Sequence, residues 1–316
     1  ASEPDESTVP EEPESEEEPE AQPDVGALLE AYLQTGGDAE KEALFAHPGE
    51  AAAEAMRRLL ARPKEERDAL CSAECEAAVL LRRVEELVQR RLAGEPVAYI
   101  IGEWEFYGLP LDISKDVLIP RPDTEVLVDQ AVPYIQSLGD CRVLDLCAGS
   151  GCIGLAVASQ CPGVHAVLGE FSDAALKICR QNIRRNGLTG RVIPMTVNAL
   201  ERPDRALGEF HCILSNPPYI PHGDIPGLDH SVKDYEPHLA LDGGEDGLDF
   251  YRAISEKWKA ALAPGGRLYF EVGIGQADAV LRIMRAQGFG DIQVVKDHND
   301  IPRVVFGTLC TEVYSQ

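Results

Sequence analysis

The 316-residue sequence predicts an α/β protein with a doubly wound sheet, preceded by a small helical domain. Three observations carry that reading. Beyond Asp140, short β-rich runs alternate with helical segments, as the strands and crossover helices of one sheet do. The first of those runs passes directly into a turn of small residues, Ala148-Gly149-Ser150-Gly151, that opens a helix. Ahead of Gly94 the apolar residues recur instead at helical spacing.

The elements follow in order. Residues 1–24 carry many Glu and Asp, no Lys or Arg and, apart from Val9, no large apolar residue. Such a stretch repels itself and cannot recover the entropy cost of ordering, so a disordered acidic tail, dispensable for chemistry, is expected. From 25 to 93, Leu28, Leu29, Tyr32 and Leu33, then Met56, Leu59 and Leu60, then Val79, Leu80, Val84, Leu87 and Val88 predict a helical bundle that Gly94 ends. The linker 94–120 contains Glu103 to Ile113 (EWEFYGLPLDI), which alternates as a β-hairpin would around a Gly-Leu-Pro turn. The domain 121–316 holds the predicted strands Val143–Leu146, Val164–Leu168, Arg191–Val197, Cys212–Leu214, Arg267–Val272, Ile292–Val295 and Val304–Thr308. Helices are predicted after Gly151 and over Asp173–Asn186.

Composition narrows the function classes. A net charge of −25 argues against a protein that grips bare duplex, since that affinity comes from concentrated Lys and Arg. The nine cysteines are scattered, with no C-x-x-C pair or zinc spacing, and read as reduced, mostly buried thiols; Cys71 and Cys75 share a helical face but lack further ligands, so no metal is expected. The amino terminus has neither the basic start nor the apolar stretch of a secretory signal, and no apolar run reaches about 18 residues. A cytoplasmic protein is expected.

In an open α/β sheet, ligands bind outside the carboxyl ends of the strands, at the point where strand order reverses. Two strand ends stand out. Val143–Ala158 (VLDLCAGSGCIGLAVA) runs from an apolar strand through Asp145 and Cys147 into the small residues Ala148, Gly149, Ser150 and Gly151, which let a cofactor approach the backbone. Gly149-x-Gly151-x-x-Gly154 also matches the dinucleotide pattern, so this turn alone does not choose between NAD and another nucleotide-like cofactor. At the next strand end, Glu170 has the chemistry to accept hydrogen bonds from both hydroxyls of a ribose.

The end of the fourth predicted strand decides between cofactors. Cys212-Ile213-Leu214-Ser215 runs straight into Asn216-Pro217-Pro218-Tyr219. Two prolines make a rigid turn, in which the Asn216 side-chain oxygen and the Pro217 carbonyl oxygen can both accept from one planar NH2 group while Tyr219 packs against it.

With these residues the sequence resembles the class I S-adenosylmethionine-dependent methyltransferases, and within them the protein-(glutamine-N5) methyltransferases that modify peptide-chain release factors. The likeness runs from about residue 25 to the end and is carried by Gly94–Ile100 (GEPVAYI) with EWEFYG, Leu118–Glu125 (LIPRPDTE), Asn216–Tyr219 (NPPY) and Gly243–Leu248 (GGEDGL). It implies a Rossmann-like seven-stranded sheet and S-adenosyl-L-methionine as cofactor, with S-adenosyl-L-homocysteine as product. It further implies that Asp145, Cys147 and Ala148 to Gly151 form the cofactor turn, with Ala148 to Gly151 along the methionine part. Glu170 would hold the ribose, Asn198-Ala199 would lie beside the adenine, and Asn216 to Tyr219 would grip a glutamine. Arg121, Thr124 and Glu125 would fix the helix that covers the cofactor. The implied partner is a class-1 release factor, methylated in its Gly-Gly-Gln loop, with the helical region 25–93 docking a second surface of it. Glu170 stands where the family more often has Asp, which keeps the ribose chemistry with one extra methylene.

Three other readings compete. An adenine-N6 nucleic-acid methyltransferase shares the planar NH2 chemistry, but the acidic balance and the absence of a basic, aromatic target-reading region oppose it. A non-catalytic platform would not need intact Gly149, Gly151 and Asn216–Tyr219. An NAD oxidoreductase leaves the Asn-Pro-Pro-Tyr turn unexplained.

Overall fold

The computed structural model describes residues 76–310, with side chains from Arg82 onward. The acidic tail, most of the predicted bundle at 25–93, and Cys71 and Cys75 therefore lie outside the described residues. The chain divides into two units, 1–88 and 89–316. Of the first, only the start of helix α1 (Glu76–Leu92) is described.

Within the second unit α1 ends at Leu92 and the chain turns at Gly94, whose φ of +95° is a left-handed conformation that suits glycine. Arg90 donates from Nε and Nη2 to the buried Glu95 carboxylate at 2.8 and 2.7 Å, which closes that turn. Helix α2 (Val97–Ile101) leads into the hairpin of β1 (Glu103–Phe106) and β2 (Leu109–Asp112). The predicted hairpin is present, but its turn is Tyr107-Gly108 and not Gly-Leu-Pro. Phe106 pairs with Leu109, leaving a two-residue loop with φ of 54° and 75°, the double-positive geometry that matches strand twist. Pro110 thus sits in a strand of a two-stranded ribbon, where a missing N–H is tolerated.

The hairpin is bonded to the main sheet's flank and is no loose connector. The fully buried Asn182 accepts from the Asp112 N–H at 2.6 Å and donates to the carbonyls of Asp112 and Ser150 at 3.1 and 3.0 Å. Arg185 pairs with Glu103 and Asp112 from the same helix face.

The main sheet has seven strands: β3 (Cys141–Leu146), β4 (Val164–Glu170), β5 (Val192–Thr196), β6 (Phe210–Ser215), β7 (Leu262–Glu271), β8 (Phe289–Lys296) and β9 (Pro302–Leu309). Their order is β5-β4-β3-β6-β7-β9-β8; the first five are mutually parallel and β9 is antiparallel to both its neighbours. The seven predicted strands are all present. From β3 the chain winds outward to β5 and then returns to β6 on β3's other side, so the order reverses between β3 and β6.

Alternation along the strands feeds two cores. Val143 packs with Leu127 and Ile135 of α3 (Pro122–Leu138), Leu155 of α4 (Cys152–Gln160) and Cys179 of α5 (Asp173–Arg185). Leu144 and Leu146 face the opposite layer, with Tyr251 and Ile254 of α7 (Asp249–Lys257) and Val280 and Met284 of α8 (Ala277–Ala286). A short helix α6 (His230–Lys233) lies in the connection between β6 and α7. Among the described residues no helix is long and apolar enough to cross a membrane.

Candidate active site

Two strand ends meet at the reversal point, and Ser215 ties them by donating its hydroxyl to the Leu146 carbonyl at 2.7 Å. A cavity of about 410 Å³ opens above them. Of the sequence-predicted residues, Cys147, Gly149, Glu170, Asn198, Ala199 and Asn216 line it, together with Pro218. Asp145, Ala148, Ser150, Gly151, Pro217 and Tyr219 do not line it.

The turn after β3 is built from backbone conformation. Cys147, Gly149 and Gly151 have φ of 61°, 55° and 83°. A side chain added at Gly149 would meet nothing within 4 Å and would project into the cavity, whereas one at Gly151 or Gly154 would strike Leu168 at 2.8 or 2.3 Å. The three glycines thus have different reasons: one leaves ligand space, two allow α4 to lie on β4. The Asp145 carboxyl is fully buried. Its Oδ2 accepts from the Gly154 N–H at 2.8 Å, and Oδ1 has no protein partner. Burial pushes its pKa up to about 7 against the opposing Gly154 bond. The Cys147 thiol is likewise raised by burial and stays neutral, so it offers no nucleophile.

Glu170 ends β4 and is nearly buried. Its two oxygens accept from the Gly149 and Ser172 N–H groups at 2.9 and 2.8 Å, which fixes the carboxylate plane and leaves a lone pair on each oxygen. Phe171 follows it, exposed and against the same cavity, and sequence reasoning missed this residue although its position directly after the acidic strand end was the available signal. Asn198 lines the cavity, yet its carboxamide is engaged in its own turn, accepting from the Leu200 N–H at 3.0 Å and donating to Glu201 at 3.1 Å. Ala199 is buried and its carbonyl accepts from the Trp258 indole at 3.0 Å.

The second turn is held by side chains. Asn216 donates from Nδ2 to Thr124 Oγ1 at 3.3 Å, which turns its Oδ1 away from α3. Gln276, also missed, donates to the Tyr219 carbonyl at 2.8 Å and accepts from the Gly273 N–H at 3.0 Å. Gly243 lets the GGEDGL loop lie on the same residue, since a Cβ there would meet the Tyr219 backbone at 2.7 Å. Tyr219 is half-buried, and burial raises its hydroxyl to about 12, so the ring is neutral packing surface.

The three supporting residues diverge. Thr124 alone touches Asn216. Arg121 pairs with the buried Glu236, tying the start of α3 to the segment whose Pro237, Leu239 and Ala240 wall the cavity. Glu125 faces the hairpin, accepting from the Tyr107 N–H at 2.8 Å.

A nucleoside-bearing cofactor fits this donor set: a fixed carboxylate with free lone pairs, an open backbone at Gly149, and apolar walls from Val117, Ala175 and Phe171. The chain matches the family model described as Methyltransferase small domain over residues 124–227 and that described as PrmC N-terminal domain over residues 74–102. The release factor glutamine methyltransferase of Geobacter sulfurreducens is 44% identical over 225 residues, covering 71% of this chain and 76% of that one. Its counterpart in Clostridium acetobutylicum is 40% identical over 225 residues, covering 71% and 79%. Among solved structures, the hMettl16 catalytic domain in complex with the MAT2A 3'UTR hairpin 6 aligns with a TM-score of 0.50 at 15% identity, covering 66% of this chain and 78% of that one. That likeness concerns the fold alone, while the sequence identities to the two bacterial enzymes reach a specific group. The chain therefore belongs to the release factor glutamine methyltransferase family.

Proposed function

We propose that this enzyme transfers a methyl group from S-adenosyl-L-methionine to the side-chain amide nitrogen of a glutamine in the Gly-Gly-Gln loop of class-1 peptide-chain release factors. The observation that carries the reading is Asn216: its Nδ2 is taken by Thr124, so its Oδ1 is left as an acceptor at a cavity shared with Glu170. The names of the relatives supply the substrate class.

When bound, the cofactor supplies an electrophilic methyl group. The chain's own residues do the rest. Glu170 accepts from the two ribose hydroxyls through its free lone pairs, and Gly149 leaves the backbone open beside it. An amide nitrogen is a weak nucleophile because its lone pair is delocalised into the carbonyl, so orientation is the main requirement. Asn216 Oδ1 and the Pro217 carbonyl accept from the substrate NH2, and these fixed acceptors stabilise the positive charge that builds on nitrogen. Tyr219 packs against the amide. No side chain is asked to act as general base.

Residues 25–93 dock a second surface of the release factor in this reading, and the acidic tail 1–24 is dispensable for transfer in a cytoplasmic enzyme. The test is mass spectrometry of a purified class-1 release factor after incubation with the full chain and S-adenosyl-L-methionine. One added methyl is expected, absent when the loop glutamine is replaced by alanine. No transfer despite measured cofactor binding would move the substrate to another protein or to a nucleic-acid amine.

A further inference from the structure

Three loops meet at the Gln276 carboxamide. Its Nε2 donates to the Tyr219 carbonyl at 2.8 Å and to the Gly247 carbonyl at 3.4 Å, while Oε1 accepts from the Gly273 N–H at 3.0 Å. The partners fix which end is which, because a carbonyl only accepts and a backbone N–H only donates. The Tyr251 hydroxyl also lies 3.4 Å from Oε1, but the closer acceptor for its one proton is the Glu271 carbonyl at 3.0 Å.

Gln276 stands at the N-cap of α8, a position where Ser, Thr, Asp and Asn serve best by accepting from the first turn. Its side chain makes no such bond, and the Ala279 and Val280 N–H groups donate to its backbone carbonyl instead. The helix start therefore makes no use of the carboxamide. Glycines keep the space around it open. A Cβ at Gly247 would lie 2.3 Å from the Tyr219 carbonyl oxygen and 2.7 Å from Gln276 Nε2. One at Gly273 would lie 2.7 Å from Gln276 Oε1 and 3.0 Å from Cδ2 of the Tyr219 ring, so Gly273 borders the ring itself. One carboxamide thus holds the ring from two directions: its donor end fixes the backbone that carries the ring, and its acceptor end fixes the glycine beside it.

Resting on the functional reading above, in which the Tyr219 ring packs against the substrate amide, we infer that Gln276 is a positioning residue. Acting through the Tyr219 backbone and Gly273, it sets where the ring stands and so how the amide nitrogen is presented to the methyl group. A reaction that depends on orientation is sensitive to a displaced wall. Gln276→Glu isolates this role, since it keeps the side-chain length and the acceptor end but turns the donor end into an oxygen that faces two carbonyls. The groups assigned to the cofactor, Glu170 and Gly149, lie outside these bonds.

The experiment measures kcat and the KM for release factor at saturating S-adenosyl-L-methionine, with the full chain, for wild type, Gln276→Glu, Tyr219→Ala and the double variant. Calorimetry follows cofactor affinity in each. Gln276→Glu is expected to lower kcat about tenfold, with KM and cofactor affinity within about twofold. In Tyr219→Ala, itself of lowered kcat, no ring remains to be placed, so adding Gln276→Glu should cost less than about twofold more. Gln276→Met, of similar length and without a donor, is carried through the same cycle, so the inference stays testable if the carboxylate prevents folding. Wild-type kcat in Gln276→Glu or in Tyr219→Ala, a loss of equal size on the Tyr219→Ala background, or a loss that resides in cofactor affinity overturns the inference. A wild type that binds cofactor but methylates no release factor instead sinks the functional reading on which it rests.

Discussion

The turns after β3 and β6 lie side by side at the same edge of the sheet, yet they are made from opposite materials. The first, Cys147 to Gly151, takes its shape from left-handed backbone and presents main chain to the cavity. The second, Asn216 to Tyr219, takes its shape from two prolines and presents a side chain whose orientation depends on Thr124. Sequence variation at the first should therefore change what fits, and variation at the second should change what reacts.

The sharpest way to break that contrast is Asn216→Ala. It removes a contact to the reacting amide and none to the cofactor, so kcat is expected to fall about 10²–10³-fold while cofactor affinity holds. Single-turnover methyl transfer and calorimetry read the two separately. Undiminished transfer would show that the second turn is mere structure.

Gly149→Val is the mirror experiment. The new side chain enters the cavity and must also adopt a φ of 55°, which a β-branched residue resists. Crowding and strain of about 1–3 kcal/mol correspond to roughly ten- to hundredfold weaker cofactor binding. Transfer should be partly restored by raising the cofactor concentration. A variant with normal affinity and low kcat would erase the division of labour between the turns.

Both turns were legible in the sequence because their chemistry is local: glycines beside an apolar strand, and prolines directly after one. The seven strands were legible for the same reason, but their ends were not. Strand β7 starts at Leu262 and not at Arg267, because Pro264-Gly265-Gly266 bulges against β6 where the residues look like a strand breaker. β8 extends to Phe289 through a similar irregularity at Gly290, with Asp291 at a φ of 48°. The hairpin turn was misread because a Pro inside a strand reads as a turn residue, whereas a ribbon without a third strand accepts it.

Gln276 was invisible for a different reason. It acts on a turn more than fifty residues away in sequence, as its bond to Tyr219 spans 57 positions, and no spacing rule connects them. Asn198 shows the converse: its type suits an adenine amine, but tertiary geometry turns its carboxamide to Leu200 and Glu201. Residue type reveals what a group is able to do, and only the fold reveals what it is already doing.

Asp145 gives the smallest expected effect on turnover and refines the comparison from below. Its carboxyl supports the first turn through the Gly154 N–H, a bond that a carboxamide oxygen accepts equally well. In the folded state its pKa is raised to about 7, above an unfolded value of about 3.9. Between those values the folded protein binds the extra proton, so the group's contribution to stability is fully present below the unfolded value and is lost as pH rises to about 7. Asp145→Asn has no such loss. Thermal unfolding should therefore show the variant gaining on wild type between pH 5 and pH 8, by an amount on the order of 2 kcal/mol, with kcat little changed. An advantage that does not grow with pH would mean that Asp145 is ionised in place. The first turn would then rest on a buried charge, and backbone shape alone would not account for it.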